Sequence, residues 1–177
     1  MKIKSTTILG VRVGKKIALG GDGQVTLGDM KLKSKAVKVR EFNNGKVLAG
    51  FAGAAADAMS LFEKFEMKLD ETGGNLQRAV VEMAKDWRMD KVLRELDALL
   101  AIMDNKHSFI LSGTGDVIEP DNNIISIGSG SGFAISAAKA FLKTGLKDPV
   151  KLVKDSLHIA SDLCIYTNDV ITVIGGK

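Results

Sequence analysis

Apolar residues change their spacing repeatedly along this chain, and the order of those changes restricts the folds open to it. Short runs with strand-like alternation come first: Thr7 to Arg12, Lys16 to Leu19, Ala36 to Phe42 and Lys46 to Phe51. Asn43-Asn44-Gly45 between the last two is a strong hairpin turn signal. From Ala54 to Leu69 the spacing becomes helical, with Ala58, Leu61, Phe62 and Phe65 on one face. Gly73-Gly74 interrupts it, and Asn75 can cap a second helix expected to run to about Leu96. Strands return at Ala98 to Met103, Ser108 to Leu111 and Ile124 to Ile127. Two more helices follow, Gly132 to Lys143 and Asp148 to about Leu163, the second opened by an Asp148-Pro149 cap. Val170 to Ile174 is a final strand. Strands and helices segregated into blocks predict an α+β fold with layered antiparallel sheets, not an alternating parallel sheet.

Composition narrows the function classes. At 177 residues, 45% hydrophobic and 26% charged, the chain suits one globular domain with a substantial core. No apolar run approaches the roughly 20 residues that span a bilayer, so no membrane partner is expected. The first five residues lack the apolar segment of a secretion signal, which reads as a cytoplasmic protein. Cys164 is the only cysteine, so an internal disulfide and a multi-cysteine metal site are excluded. Lys31, Lys33, Lys35, Lys38 and Arg40 form the densest basic stretch within a net charge of +4. No aromatic residue interleaves with them to stack on bases, so they read mostly as a solvated strand or loop edge, and no nucleic-acid partner is expected.

Several glycine-rich stretches fail the motifs they suggest. Gly14-Lys15 lacks the glycine spacing of a phosphate loop, and Lys16 stands where Ser or Thr is required. Phe133 occupies the last glycine position of a dinucleotide fingerprint begun by Gly128 and Gly130. ATP binding by this chain is therefore not expected. Gly130 also stands where a Gly-x-Ser-x-Gly elbow would place its serine. His107 and His158 are isolated from each other and from further metal-ligand spacings.

Thr6 and Thr7 directly precede the apolar run Ile8-Leu9-Gly10-Val11 of the first strand. A threonine freed at a chain terminus carries a hydroxyl nucleophile and, on the adjacent carbon, an α-amine that can accept the hydroxyl proton. That amine is protonated near neutral pH unless a nearby cation lowers its pKa. A buried lysine supplies such a cation and itself needs a carboxylate partner. Main-chain N–H groups beside a glycine can then hold the oxyanion. Thr6, Lys38, Asp22 and Gly50 supply these parts, each at or near the end of an expected strand.

These residues lie in segments that, taken in order, resemble the peptidase subunits of the bacterial proteasome-like ATP-dependent proteases, which are N-terminal threonine hydrolases. The segments are Thr6-Thr7-Ile8-Leu9, Gly20 to Gly28, Lys46 to Gly53, Ala56-Asp57-Ala58, Ala84 to Arg88, Gly128-Ser129-Gly130 and Cys164 to Asn168. The resemblance implies a four-layer αββα sandwich, with two antiparallel sheets between helix layers. It implies a short leader, Met1 to Ser5, removed by self-cleavage ahead of a single peptidase domain over residues 6–177. Thr6 would be the nucleophile, Lys38 would tune its amine, and Asp22 would pair with Lys38. The Gly50 N–H would form the oxyanion hole, and Ser129 would hydrogen-bond near the amine. Structural sodium would sit on backbone carbonyls of Ser161, Cys164 and Thr167. Partners would be further copies in two stacked hexameric rings, an AAA+ unfoldase that hydrolyses ATP and activates the peptidase, and unfolded protein substrates. The sequence departs from relatives at Ser131-Gly132-Phe133, where they commonly carry Gly-Pro-Tyr, and at Ser5, where proteasome-type leaders usually carry Gly.

Two other classes stay open on sequence alone: a non-catalytic ring subunit that keeps its leader, and a cysteine hydrolase pairing Cys164 with His158 or His107. Intact mass separates the first from a threonine hydrolase. The active protein is expected to lack Met1 to Ser5, and a fully active protein that retains them would sink the terminal-amine mechanism.

Overall fold

The computed structural model describes residues 6–53, 55–91, 93 and 98–176. The leader assigned to Met1–Ser5 lies outside them. Two strands open the chain, β1 (Thr7–Val13) and β2 (Lys16–Asp22). A short hairpin follows, β3 (Val25–Leu27) and β4 (Met30–Lys33), and then β5 (Val39–Phe42) and β6 (Val47–Ala52). Helices α1 (Ala55–Glu71) and α2 (Leu76–Met89) come next. Then come β7 (Leu99–Met103), β8 (Ser108–Ser112), β9 (Val117–Ile118) and β10 (Ile124–Gly128). Helices α3 (Ser131–Lys143) and α4 (Pro149–Leu163) lead into β11 (Ile171–Gly175).

One sheet has the order β10-β1-β2-β11 and the other β5-β6-β7-β8-β9, with antiparallel pairing throughout. Strand alternation sorts side chains into layers. Ile8 points into a cluster between the two sheets with Leu19, Leu48 and Ile125, while Leu9 points outward to Leu152 and Leu157 of α4. On the other side, Ala49 and Phe51 meet Leu61, Phe65 and Trp87 of α1 and α2. The result is the four-layer sandwich, helices outside and sheets inside.

The two sheets approach closely where glycines remove side chains. A Cβ at Gly10 in β1 would lie 2.7 Å from both Ile125 Cγ2 and Met103 Sδ. One at Gly50 in β6 would lie 2.5 Å from Ile8 Cγ2. These positions hold the inner layer thin and so fix where the ends of β1 and β2 sit against β5 and β6.

Three features depart from the sequence expectations. The β3–β4 hairpin has no apolar alternation to announce it, and every residue of β4 is exposed. β5 starts at Val39 instead of Ala36, because the Ala36 N–H bonds the Gly23 carbonyl (2.9 Å) and holds the preceding segment away from the sheet. α2 ends at Met89, well short of Leu96. Asp90 leaves the helical conformation and its carboxylate accepts the Leu93 N–H at 3.1 Å. The Leu93 carbonyl in turn receives the indole N–H of the fully buried Trp87 at 2.8 Å.

The close sheet contact gives a stability prediction. Gly10→Ala is expected to destabilise the fold by about 1–3 kcal/mol through overpacking, read as a lower denaturant midpoint. An unchanged midpoint would show that the sheets part freely at this position.

Candidate active site

Strand order gathers the site at one end of the β10-β1-β2-β11 sheet. Thr7 is registered against Gly128, Ile8 against Gly21, and Ile171 against Asp22. The start of β1, the end of β2, the end of β10 and the turn before β11 therefore lie side by side. Thr6 precedes and Thr7 opens a strand whose faces alternate, so their side chains diverge.

Thr6 is buried and lines a cavity of about 110 Å³ together with Lys38, Val25, Phe51, Gly53 and Phe62. Apart from Lys38, the side chains around it are mostly apolar, with exposed Val37 and Met59 also on its wall. Such a pocket suits an apolar side chain next to the nucleophile. The Thr6 carbonyl accepts the Ser129 N–H at 2.9 Å and the Ser129 hydroxyl at 3.4 Å.

Asp22 is fully buried, and both its oxygens are engaged. Oδ1 accepts the Thr7 N–H at 2.8 Å and the Lys38 ammonium at 3.0 Å. Oδ2 accepts the Gln24 N–H at 2.9 Å and the Asn168 N–H at 3.3 Å. Lys38 also donates to the Gln24 carbonyl at 2.6 Å. Burial pushes the Lys38 pKa below its ordinary 10.5, and the Asp22 charge and hydrogen bond oppose that shift.

Thr6, Asp22, Lys38 and Ser129 are thus brought together as the sequence reading expected. Gly50 is not, and its place as the oxyanion glycine requires correction. It lies inside the sheet, registered against Val39 on one side and Ala101 on the other, with its α-carbon facing Ile8 and Leu19. Its main chain is enclosed by neighbouring strands. Gly53, just beyond β6, is the glycine on the cavity wall. Ser161, Cys164 and Thr167 fall together at the end of α4. The Ser161 hydroxyl donates to the His158 carbonyl at 2.7 Å, and the Cys164 carbonyl accepts the Thr167 N–H at 3.0 Å.

Thr7, Gln24 and Asn168 were assigned no role from sequence. The Thr7 hydroxyl shares a hydrogen with that of Thr167 (2.7 Å) and accepts the Gly130 N–H at 3.0 Å. A Cβ on Gly130 would collide with that hydroxyl, which explains the glycine. The strand alternation after Thr6 was the available signal for Thr7, since it turns one threonine toward the cavity and the next toward the helix layer. For the cysteine reading, Cys164 is buried, and no hydrogen bond is found between it and either histidine. His107 instead contacts Glu119 at 3.2 Å and stacks on Phe109. Among the described residues no cluster of His, Cys, Asp and Glu could hold a metal, and no helix is long and apolar enough to cross a membrane.

Known proteins resemble this chain over nearly its whole length. The sequence profile of the proteasome subunit family matches residues 3–174. The ATP-dependent protease subunit HslV of Caldicellulosiruptor saccharolyticus is 52% identical over 171 residues, covering 96% of this chain and 97% of that protein. The crystal structure of eukaryotic HslV from Trypanosoma brucei superposes with a TM-score of 0.89 at 42% identity, covering 96% of this chain and 98% of that one.

The Lys38 environment predicts a pH dependence of stability. With its folded pKa lowered, the unfolded chain holds this proton more tightly than the folded one. Lys38 therefore favours folding above 10.5, and that contribution is lost as pH falls through the lowered folded value. Relative to Lys38→Met, the wild type should gain stability as pH rises through the alkaline range below 10.5. Paired denaturation curves across that window check it, and a gap that stays constant or closes would contradict the burial argument.

Proposed function

This chain belongs to the proteasome subunit family, and from that premise we propose how it cleaves peptide bonds: by attack of the Thr6 hydroxyl, with the α-amine of Thr6 as base. It is a peptidase subunit of the HslV (ClpQ) type. The observation that carries the mechanism is the buried Asp22–Lys38 pair, 3.0 Å apart, whose lysine shares a cavity wall with Thr6.

Removal of Met1–Ser5 by cleavage before Thr6 creates the amine. The Lys38 cation nearby lowers the affinity of that amine for a proton, leaving its lone pair free to accept the hydroxyl hydrogen. The Thr6 oxygen then bonds to the substrate carbonyl carbon. The oxyanion that forms is held by main-chain N–H groups at the cavity, for which Gly53 is the best-placed glycine. Collapse breaks the C–N bond, and the proton taken from Thr6 passes to the departing amine. The acyl group remains as an ester on Thr6 until water, deprotonated by the same amine, releases it as a carboxylic acid. Ser129, bonded to the Thr6 carbonyl, orients the terminal residue.

Sodium fits the end of α4. Carbonyl oxygens in the last turn of a helix lack intrahelical partners and carry partial negative charge, a donor set suited to a hard monovalent cation. Ser161 in that last turn, with Cys164 at the cap and Thr167 in the turn that follows, would hold it through their main-chain carbonyls. Its contribution would be structural, fixing the turn that leads to Thr167. The missing phosphate loop leaves ATP hydrolysis to an AAA+ partner, HslU (ClpY). Two stacked hexameric rings in the cytoplasm would enclose the cavity and admit only unfolded chains.

Thr6→Ala is expected to reduce hydrolysis of a peptide with an apolar residue before the scissile bond to background, assayed with the AAA+ partner and ATP. Cys164→Ala should retain it. Full activity in Thr6→Ala, or its loss in a folded Cys164→Ala, would overturn the assignment and favour the cysteine reading.

A further inference from the structure

The turn after α4 reaches into the Asp22 site through three polar groups of one residue. Asn168 donates its main-chain N–H to Asp22 Oδ2 at 3.3 Å. Its side-chain oxygen accepts the Gly23 N–H at 3.0 Å, and its side-chain nitrogen donates to the Ser34 carbonyl at 2.9 Å. Gly23 and Ser34 are the two feet of the excursion that carries β3 and β4. Their backbones touch, since a Cβ on Gly23 would strike the Ser34 carbonyl. Asp22 directly precedes one foot, and Lys38 follows shortly after the other. A single amide thereby sets the spacing between the strand end bearing the carboxylate and the segment bearing the ammonium.

The chemistry of the two feet selects the residue. An N–H can only donate and a carbonyl can only accept, so bridging them requires one acceptor and one donor on a short side chain. Asparagine supplies both. Ionised aspartate has no donor for Ser34, and apolar residues have neither group.

We propose that Asn168 is a positioning residue for the threonine hydrolase reaction, clamping Gly23 to Ser34 so that Lys38 stays on Asp22 beside Thr6. This rests on Thr6 being the nucleophile. Asn168 acts through Asp22 and Lys38 and contacts neither attacking nor leaving atoms. Displacement of a positioned group by about 1 Å can cost on the order of a hundredfold in rate, so loss of the clamp should be felt in chemistry before it is felt in substrate binding.

Two variants test this. Asn168→Ala removes both side-chain bonds. Asn168→Asp keeps the volume and the acceptor for Gly23 but sets an oxygen against the Ser34 carbonyl, and it carries the test if Asn168→Ala does not fold. Each protein, in its native assembly, is acylated in a single turnover with a peptidyl β-lactone, with the modified residue mapped by mass spectrometry, and is assayed for peptide hydrolysis in parallel. The acylation rate and kcat should fall at least roughly tenfold in both variants, with KM within about twofold. The unfolding midpoint of Asn168→Asp should stay near that of the wild type. Wild-type acylation rates in Asn168→Asp, a loss confined to KM, or a loss that tracks a lowered midpoint would each overturn the proposal while leaving Thr6 as nucleophile. A wild-type protein that is not acylated at Thr6 would overturn that reading and the proposal with it.

Discussion

The carboxylate of Asp22 is the point on which this site depends. It is removed from water and receives four donors: the Thr7 and Gln24 main-chain N–H groups, the Lys38 ammonium and the Asn168 N–H. A buried carboxylate with fewer partners would be expensive. Those donors come from β1, the loop after β2, the segment before β5 and the turn after α4. None of these segments can shift without weakening a hydrogen bond to the buried carboxylate, so one side chain ties remote parts of the chain to the start of β1 beside Thr6.

Sheet topology is what makes that convergence possible. In the order β10-β1-β2-β11, neighbouring strands run in opposite directions, so the ends of β10 and β2 and the starts of β1 and β11 meet at one end of the sheet. Ser129, Thr6, Asp22 and Asn168 each lie at or just beyond one of these ends. The second sheet closes the site from the other side. Lys38 leads into β5, Gly53 follows β6, and Phe51 and Phe62, in edge contact at 6.5 Å, form part of the apolar wall. The small inner faces at Gly10 and Gly50 bring the two sheets near enough for Lys38 to reach Asp22. Core packing and catalytic geometry are thus one constraint.

The layered fold was legible because apolar spacing reports burial, and burial here follows element type closely. Ile8 and Leu9 alternate between two different cores, and α1 shows its apolar face at Leu61, Phe62 and Phe65. The β3–β4 hairpin carried no such signal, since β4 is solvated along its length. Thr6, Lys38 and Asp22, the residues of the proposed mechanism, stand out from residue chemistry near strand ends together with the family resemblance, and the structure pairs Lys38 with Asp22 beside Thr6. Gly50 shows where that approach stops. Gly50 and Gly53 both stand near the end of an apolar run, and only the ladder register shows that the first is enclosed by neighbouring strands and the second is at the cavity. Thr167 and Asn168 meet Thr7 and Gly23 through contacts between opposite ends of the sequence, with no local pattern to mark those contacts.

The ion pair also bears on why these residues are present at all. Removing Lys38 and Asp22 from water costs several kcal/mol per ion before their attraction is counted, and well-packed apolar pairs in such positions are often as stable or more so. Depression of the Lys38 pKa by burial, against the pull of Asp22, is the same cost expressed as proton affinity. Stability therefore gives little reason to keep this pair, whereas a cation held beside a terminal amine gives a chemical one. The Lys38 ammonium lies 3.0 Å from Asp22 and 2.6 Å from the Gln24 carbonyl, so the fold itself sets the position of the charge. Under the proposed mechanism, cleavage before Thr6 would then complete the site by exposing an α-amine beside a cation that the fold already holds.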